Sequence, residues 1–85
     1  MRAHKSFIRK VNRLIRSVPG LKEKLSEVTE TLQENPFASP LKTHRLSGNL
    51  RGMHSCSLTY EIRIIFKLEA DVLYLLDVGS HDEVY

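Results

Sequence analysis

The stretch IRIIFKLEADVLYLLDV, residues 62–78, decides the fold. Apolar and polar side chains alternate through much of its first half, which is the period of a β-strand. Ala70-Asp71 predicts a tight turn. Val72–Val78 is almost entirely apolar, which is typical of a strand in the middle of a sheet. Two strands joined by so short a turn must pair in antiparallel fashion.

The same alternation extends upstream to Met53. Residues 53–68 are too many for one strand, so we expect a hairpin turn near Leu58–Glu61. Residues 43–46 predict another short strand, and SGNLRG, residues 47–52, predicts a turn-rich connection. Cys56 shares its parity with apolar residues and is expected to be a buried, unreactive thiol. His54 is expected to lie on the surface.

The amino-terminal part has helical periodicity. Residues 6–18, SFIRKVNRLIRSV, and residues 21–35, LKEKLSEVTETLQEN, each place apolar residues on one face, and Pro19-Gly20 separates them. Asn35-Pro36 ends the second helix, and Phe37 and Leu41 are expected to pack under the following loop. The order predicts one α+β domain over residues 1–85, a helical hairpin packed on a small antiparallel meander. The stripe of the first helix comprises Phe7, Ile8, Val11, Leu14, Ile15 and Val18.

Charge is distributed unevenly along the chain. Residues 1–51 contain eleven lysines and arginines and four glutamates, a net charge of +7, whereas residues 52–85 carry two basic and six acidic residues, a net charge of −4. A basic half favours a polyanionic partner, and a solvated helix face is the alternative. The single cysteine cannot form an internal disulfide, which fits a reducing compartment such as the cytoplasm. No run of about 20 apolar residues predicts a membrane span.

The motifs exclude several kinds of chemistry. There is no glycine-rich phosphate loop and no H-E-x-x-H, and the four histidines lack metal-ligand spacing, so neither a metal nor a cofactor is expected. The remaining acids, bases and cations suit cleavage of a phosphodiester without a metal, because a base, an acid and cations are all that this reaction requires. These residues are Lys42, His44, Arg45, His54, Glu61, Arg63, His81, Asp82, Glu83 and Tyr85.

Three motifs in order carry a family resemblance: Leu46-Ser47-Gly48, IRIIFK at residues 62–67 and GSHDEVY at residues 79–85. They resemble the RelE/ParE toxin superfamily, most closely the RelE-type and YafQ-type messenger-RNA interferases of type II toxin–antitoxin modules. The resemblance implies a microbial RNase-like fold and cleavage of messenger RNA, commonly at the ribosome. It also implies a small antitoxin protein that neutralises the toxin. Such a toxin contacts operator DNA only through its antitoxin, and no membrane is involved.

The resemblance assigns roles to five residues. Arg63 matches an arginine that contacts the scissile phosphate, and His81 matches a histidine that acts as an acid or base. Tyr85 matches a terminal aromatic that places the RNA, and His44 and Glu61 match further YafQ-type site residues. Basic residues expected to bind RNA are Lys42, Arg45, Arg51, Arg9, Arg13 and Arg16.

The hairpin register bears on this site. Counting outward from the Ala70-Asp71 turn places Arg63 opposite Asp77 or Val78, and therefore close to His81.

Two features depart from the family pattern. A second YafQ-type histidine position falls at Ser57, and MRAHKS, residues 1–6, is so short that the first strand is expected to be short or missing. Two alternatives therefore stay open beside the endoribonuclease: a ParE-like toxin that poisons DNA gyrase, and an inactive family member that binds only its antitoxin. The acid–base set at His44, Glu61 and His81 favours the endoribonuclease, because a gyrase poison needs no proton transfer.

Overall fold

A computed structural model describes residues 1–85 as two helices packed on a five-stranded sheet, followed by a short terminal helix. This arrangement confirms the predicted α+β class. The helices are α1 (Lys5–Ser17), α2 (Leu21–Glu34) and α3 (His81–Val84). The strands are β1 (Arg2–Ala3), β2 (His44–Arg45), β3 (His54–Ser57), β4 (Ile62–Glu69) and β5 (Val72–Ser80), and short 3₁₀ turns occupy Ser39–Leu41 and Gly48–Leu50.

The strands lie in the order β1-β5-β4-β3-β2. Strands β2 to β5 form an antiparallel meander, as the turns predict, whereas β1 pairs with β5 in parallel over only two residues. The first strand is therefore short, as expected from residues 1–6. In this order β4 is the middle strand, and the apolar β5 is only partly covered on its other edge, because β1 pairs with it at two residues. The start of α1 adds to that cover, since Ser6 Oγ donates to the Leu76 carbonyl (3.1 Å).

A β-bulge changes the predicted register of the β4–β5 hairpin. Phe66 lies opposite Leu75, but Ile65 lies opposite Asp77, so Leu76 is an extra residue in β5. Arg63 therefore lies opposite Gly79, whereas the count from the turn placed it opposite Asp77 or Val78. The extra residue brings Arg63 one position closer to the terminal helix.

The helices end where the sequence predicts. The second begins after Gly20, whose φ of +78° is a left-handed conformation that costs glycine little. It ends at Glu34, with Asn35 as its C-cap before Pro36. The core lies between the helices and one face of the sheet, whereas Ile8 and Phe37 are 46% and 55% exposed, so their predicted burial is wrong. Core residues are Phe7, Val11, Leu21, Val28, Leu32, Leu41, Cys56, Leu58, Ile64, Phe66, Leu73, Leu75 and Val78.

None of the helices combines the length and the apolar character that crossing a bilayer requires.

His54 corrects the expectation of a surface histidine. Side chains alternate across a strand, so His54 points to the same face as Cys56, toward the core. Its ring stacks on Phe66 and meets Phe37 edge-on, with both ring centroids 5.4 Å away. Its buried Nδ1 has no hydrogen-bond partner. Burial lowers the pKa of His54, and the nearby Arg45 charge lowers it further.

We expect this histidine to make the fold sensitive to mild acid. With its pKa lowered in the folded state, the unfolded chain takes up the proton first, so stability falls as pH drops below about 6.5. His54→Phe keeps an aromatic ring in the same place but does not titrate. The free energy of unfolding, measured in urea at pH 8 and pH 5.5, should therefore fall more for the natural protein than for His54→Phe. An equal fall in both would show that His54 does not cause the effect.

Candidate active site

The Arg63 side chain is held in one orientation on the sheet face opposite the helices. Nε and Nη2 both donate to Ser55 Oγ, at 2.9 and 2.7 Å, and Nη1 donates to Ser57 Oγ at 2.8 Å. Nη2 also donates to the Lys42 carbonyl at 3.2 Å. A guanidinium has five N–H donors, so one donor on Nη1 remains for a ligand.

The positive charge of Arg63 is not neutralised. Its partners are hydroxyl and carbonyl oxygens, and the two ion pairs in the structure are Lys10–Asp77 (2.7 Å) and Lys67–Glu69 (3.6 Å). Neutral partners fix the geometry of the guanidinium and leave its charge available. A cation fixed in this way can stabilise negative charge that develops on a phosphate without first having to reorient.

Ser55 connects Arg63 to the end of the chain. This serine is fully buried, and the Tyr85 hydroxyl donates to the same Oγ that accepts from Arg63. Ser55 is not among the site residues predicted from the sequence. Its parity with Ser57 in SCS, residues 55–57, was the available signal, because it places both hydroxyls on the face that carries Arg63.

The terminal helix is fixed by a capping box. Glu83 Oε1 accepts the N–H of Ser80 at 2.8 Å, and this hydrogen bond lowers the pKa of Glu83. A Cβ on Gly79 would lie 3.1 Å from the Glu83 Cβ, so glycine permits this close approach. The resulting turn brings the rings of His81 and Tyr85 together, edge to face, with centroids 4.3 Å apart.

Three of the five predicted site residues therefore converge: Arg63 and Tyr85 share Ser55, and His81 contacts Tyr85. His44 lies beside them, because it is the cross-strand neighbour of Ser55 and points to the same face. Glu61 lies apart, in the exposed β3–β4 turn, and its carboxylate forms no ion pair with Arg63.

The predicted RNA-binding residues occupy different surfaces. Arg45 is the cross-strand neighbour of His54 and therefore lies on the opposite face of the sheet from Arg63. Lys42 is exposed next to the site, where its carbonyl holds Arg63. Arg51 is exposed after the second 3₁₀ turn, and the α1 arginines Arg9, Arg13 and Arg16 are exposed along one side of that helix.

Cys56 and Ser57 complete the strand beside Arg63. Cys56 is fully buried, which confirms the predicted burial, and this burial raises the pKa of its thiol to about 12, so the thiol stays protonated near neutral pH. Ser57, at the position of the second YafQ-type histidine, orients Arg63. No three side chains of histidine, cysteine, aspartate or glutamate are grouped closely enough to hold a metal ion.

Comparisons with known proteins identify the family of the chain. A family model described as the bacterial toxin YafQ of type II toxin–antitoxin systems matches residues 1–85. A metal-bound toxin from Helicobacter pylori has 28% sequence identity and a TM-score of 0.82, over 99% of this chain and 96% of that chain. No curated protein matches the chain.

Two solved structures from Escherichia coli share the fold. YafQ has 20% identity and a TM-score of 0.83, over 99% of this chain and 94% of that one. The YafQ of a DinJ–YafQ complex has 20% identity and a TM-score of 0.80, with the same coverage. The match of the family model over the full length, together with this fold, confirms the resemblance predicted from the three motifs. The chain belongs to the YafQ family of bacterial toxins of type II toxin–antitoxin systems.

Proposed function

We propose that this toxin is an endoribonuclease that cleaves messenger RNA at the ribosome without a metal ion. The observation that carries the proposal is the un-neutralised guanidinium of Arg63, which Ser55 links to Tyr85, whose ring in turn contacts His81. A fixed cation beside an accessible histidine suits phosphodiester cleavage, because the transition state gathers negative charge and moves two protons.

In the proposed reaction the 2′-hydroxyl oxygen of the RNA attacks the adjacent phosphorus. A base removes the hydroxyl proton, the bond from phosphorus to the 5′ oxygen breaks, and an acid protonates that leaving oxygen. Arg63 stabilises the charge on the phosphorane through its unused Nη1 donor. His81 and His44, which flank Ser55 and Tyr85, supply the two proton transfers, since histidine both gives and takes protons near neutral pH. Tyr85 positions the RNA.

The proposed partners follow from the family and the charge distribution. An antitoxin binds the toxin and is its route to operator DNA; the DinJ–YafQ complex provides the precedent. Messenger RNA and the ribosome are the polyanionic targets, and their presence places the toxin's action in the cytoplasm. The basic residues of α1 and those around Arg63 supply the corresponding positive surface.

The proposal is tested by incubating purified toxin with messenger RNA, with and without ribosomes, and by assaying DNA gyrase supercoiling in parallel. We expect RNA cleavage and normal supercoiling. Inhibition of gyrase with intact RNA would support the ParE-like alternative. If neither target is affected but the antitoxin still binds, the protein is an inactive family member.

The arginines on α1 are expected to contribute salt-dependent affinity. Arg9, Arg13 and Arg16 are exposed and form no ion pairs. Each phosphate contact with single-stranded RNA contributes about −0.7 to the slope of log affinity against log salt. Replacement of all three by glutamine should therefore make the slope shallower by about 2, as measured by RNA binding from 50 to 200 mM salt.

Lys67→Gln provides the control, because Lys67 is paired with Glu69. It should leave the slope unchanged. If the triple variant shows the same slope of log affinity against log salt as the natural protein, the basic face of α1 is only a solvated surface.

A further inference from the structure

A cleft of about 470 Å³ lies where β3 turns into β4, between that turn and α2. The proposed reaction does not use it. Arg63 and Ser57 form part of its wall, so the cleft is continuous with the candidate active site, and neither His81 nor Tyr85 lines it. Lys24 and Thr31 line it from α2, and Thr59 and Tyr60 line it from the turn. Its volume is within the range of clefts that hold small ligands.

Tyr60 is the most unusual residue of this cleft. Its side chain is 100% exposed at the tip of the β3–β4 turn. The turn itself is well held, because Leu58 N–H and Thr59 N–H both donate to the Ile62 carbonyl and Ile62 N–H donates to Thr59 Oγ1. A tyrosine on a fixed turn has only two side-chain torsions to order, so it loses little conformational freedom when a flat ligand stacks on its ring.

The charges around the cleft favour an anion. Lys24, Lys42 and Arg63 line it together with one acidic residue, Glu27. None of these four side chains takes part in an ion pair. A surplus of cations beside an exposed aromatic ring is the combination that single-stranded nucleic acids recognise, through their phosphates and their bases.

We propose that this cleft is a second nucleotide subsite, which binds the RNA nucleotide next to the scissile phosphate on the side away from Tyr85. The inference rests on the proposed endoribonuclease function. RNA would then cross Arg63 between two aromatic residues, with one base near Tyr85 and another on Tyr60, while Lys24 and Lys42 contact the backbone. Tyr60 is thus a positioning residue, which holds a base by stacking and tolerates any of the four bases.

The test uses binding of a fluorescently labelled 2′-O-methyl RNA hexanucleotide, which cannot be cleaved by its own 2′-hydroxyl. Tyr60→Ser should weaken binding roughly five-fold or more, since one base stack contributes about that much affinity, and Tyr60→Phe should bind like the natural protein. Lys24→Gln should also weaken binding. Lys22→Gln is its matched control, because Lys22 is exposed on the same helix but does not line the cleft.

The outcomes separate the subsite from the proposed function. If the natural protein binds the hexanucleotide through Tyr60 but cleaves no RNA, the subsite stands and the endoribonuclease proposal fails. If RNA is cleaved normally and Tyr60→Ser binds the hexanucleotide as tightly as the natural protein, the subsite is wrong. The subsite is also wrong if the natural protein does not bind the hexanucleotide, or if Tyr60→Ser loses only antitoxin binding.

Discussion

Replacement of His81 by alanine is expected to slow RNA cleavage by about 10²–10⁴-fold, the usual contribution of a positioned acid or base. The imidazole is exposed at the start of α3 and contacts the Tyr85 ring, which is linked through Ser55 to Arg63. A phosphate bound at Arg63 would therefore lie beside the histidine. Without the imidazole, water must make the proton transfer that His81 makes in the proposed cleavage. Single-turnover cleavage rates measure the effect.

Removal of Tyr85 should slow cleavage at least tenfold by a different route. The tyrosine donates to Ser55 and packs against His81, so its loss disturbs the placement of both the histidine and the RNA. Its effect should be mainly on binding, where a base stack contributes about 1–3 kcal/mol. Both variants should still fold and bind antitoxin. If His81→Ala cleaves RNA at the full rate while an Arg63 variant is defective, the C-terminal residues are not part of the active site.

Replacement of Arg63 by glutamine is the second large effect that we expect, a loss of about 10²–10³-fold in cleavage rate at saturating RNA. Removal of one fixed donor to a developing oxyanion commonly costs this much. Glutamine matches the polarity of arginine but has neither the charge nor the forked donors that contact Ser55, Ser57 and the Lys42 carbonyl. Arg63→Lys restores the charge without the fork and should recover only part of the rate.

Lys67→Gln is the matched control, because it removes one positive charge from the same strand at a position paired with Glu69. It should cleave RNA at the normal rate. Thermal unfolding of each variant separates a catalytic defect from a folding defect, since Arg63→Gln also loses hydrogen bonds to buried Ser55. Normal cleavage by folded Arg63→Gln would contradict the assignment.

Much of the fold could be predicted because its signals are local. Pro19-Gly20, Asn35-Pro36 and Ala70-Asp71 mark element ends, and the period of the residues between them distinguishes helix from strand. The Leu76 bulge is not signalled locally, because Leu76 continues an apolar run. The pairing of β1 with β5 joins residues about 70 positions apart, and neither its partner nor its parallel direction follows from two residues.

The candidate site was predictable in part. The family resemblance implies the roles of Arg63, His81 and Tyr85, the hairpin register predicts that Arg63 lies near His81, and the structure brings the three together. Ser55 could not be recognised as a site residue from its residue type, because serines are common. Only the tertiary contacts show that the Arg63 guanidinium and the Tyr85 hydroxyl both hydrogen-bond to this serine. Glu61 matches the family pattern in sequence, yet the turn leaves it exposed. His54 is half-buried and not on the surface as expected, because it shares the parity of Cys56 and stacks on Phe66.

The chemical ends of the cleaved RNA test the central claim most directly. If the 2′-hydroxyl attacks at Arg63 with proton transfer by histidine, cleavage in excess EDTA should leave a 2′,3′-cyclic phosphate or 3′-phosphate and a 5′-hydroxyl. An RNA with a single 2′-deoxy nucleotide at the cleavage position should stay intact. Products with 5′-phosphate and 3′-hydroxyl ends, or cleavage that is lost in EDTA and restored by magnesium, would contradict this account.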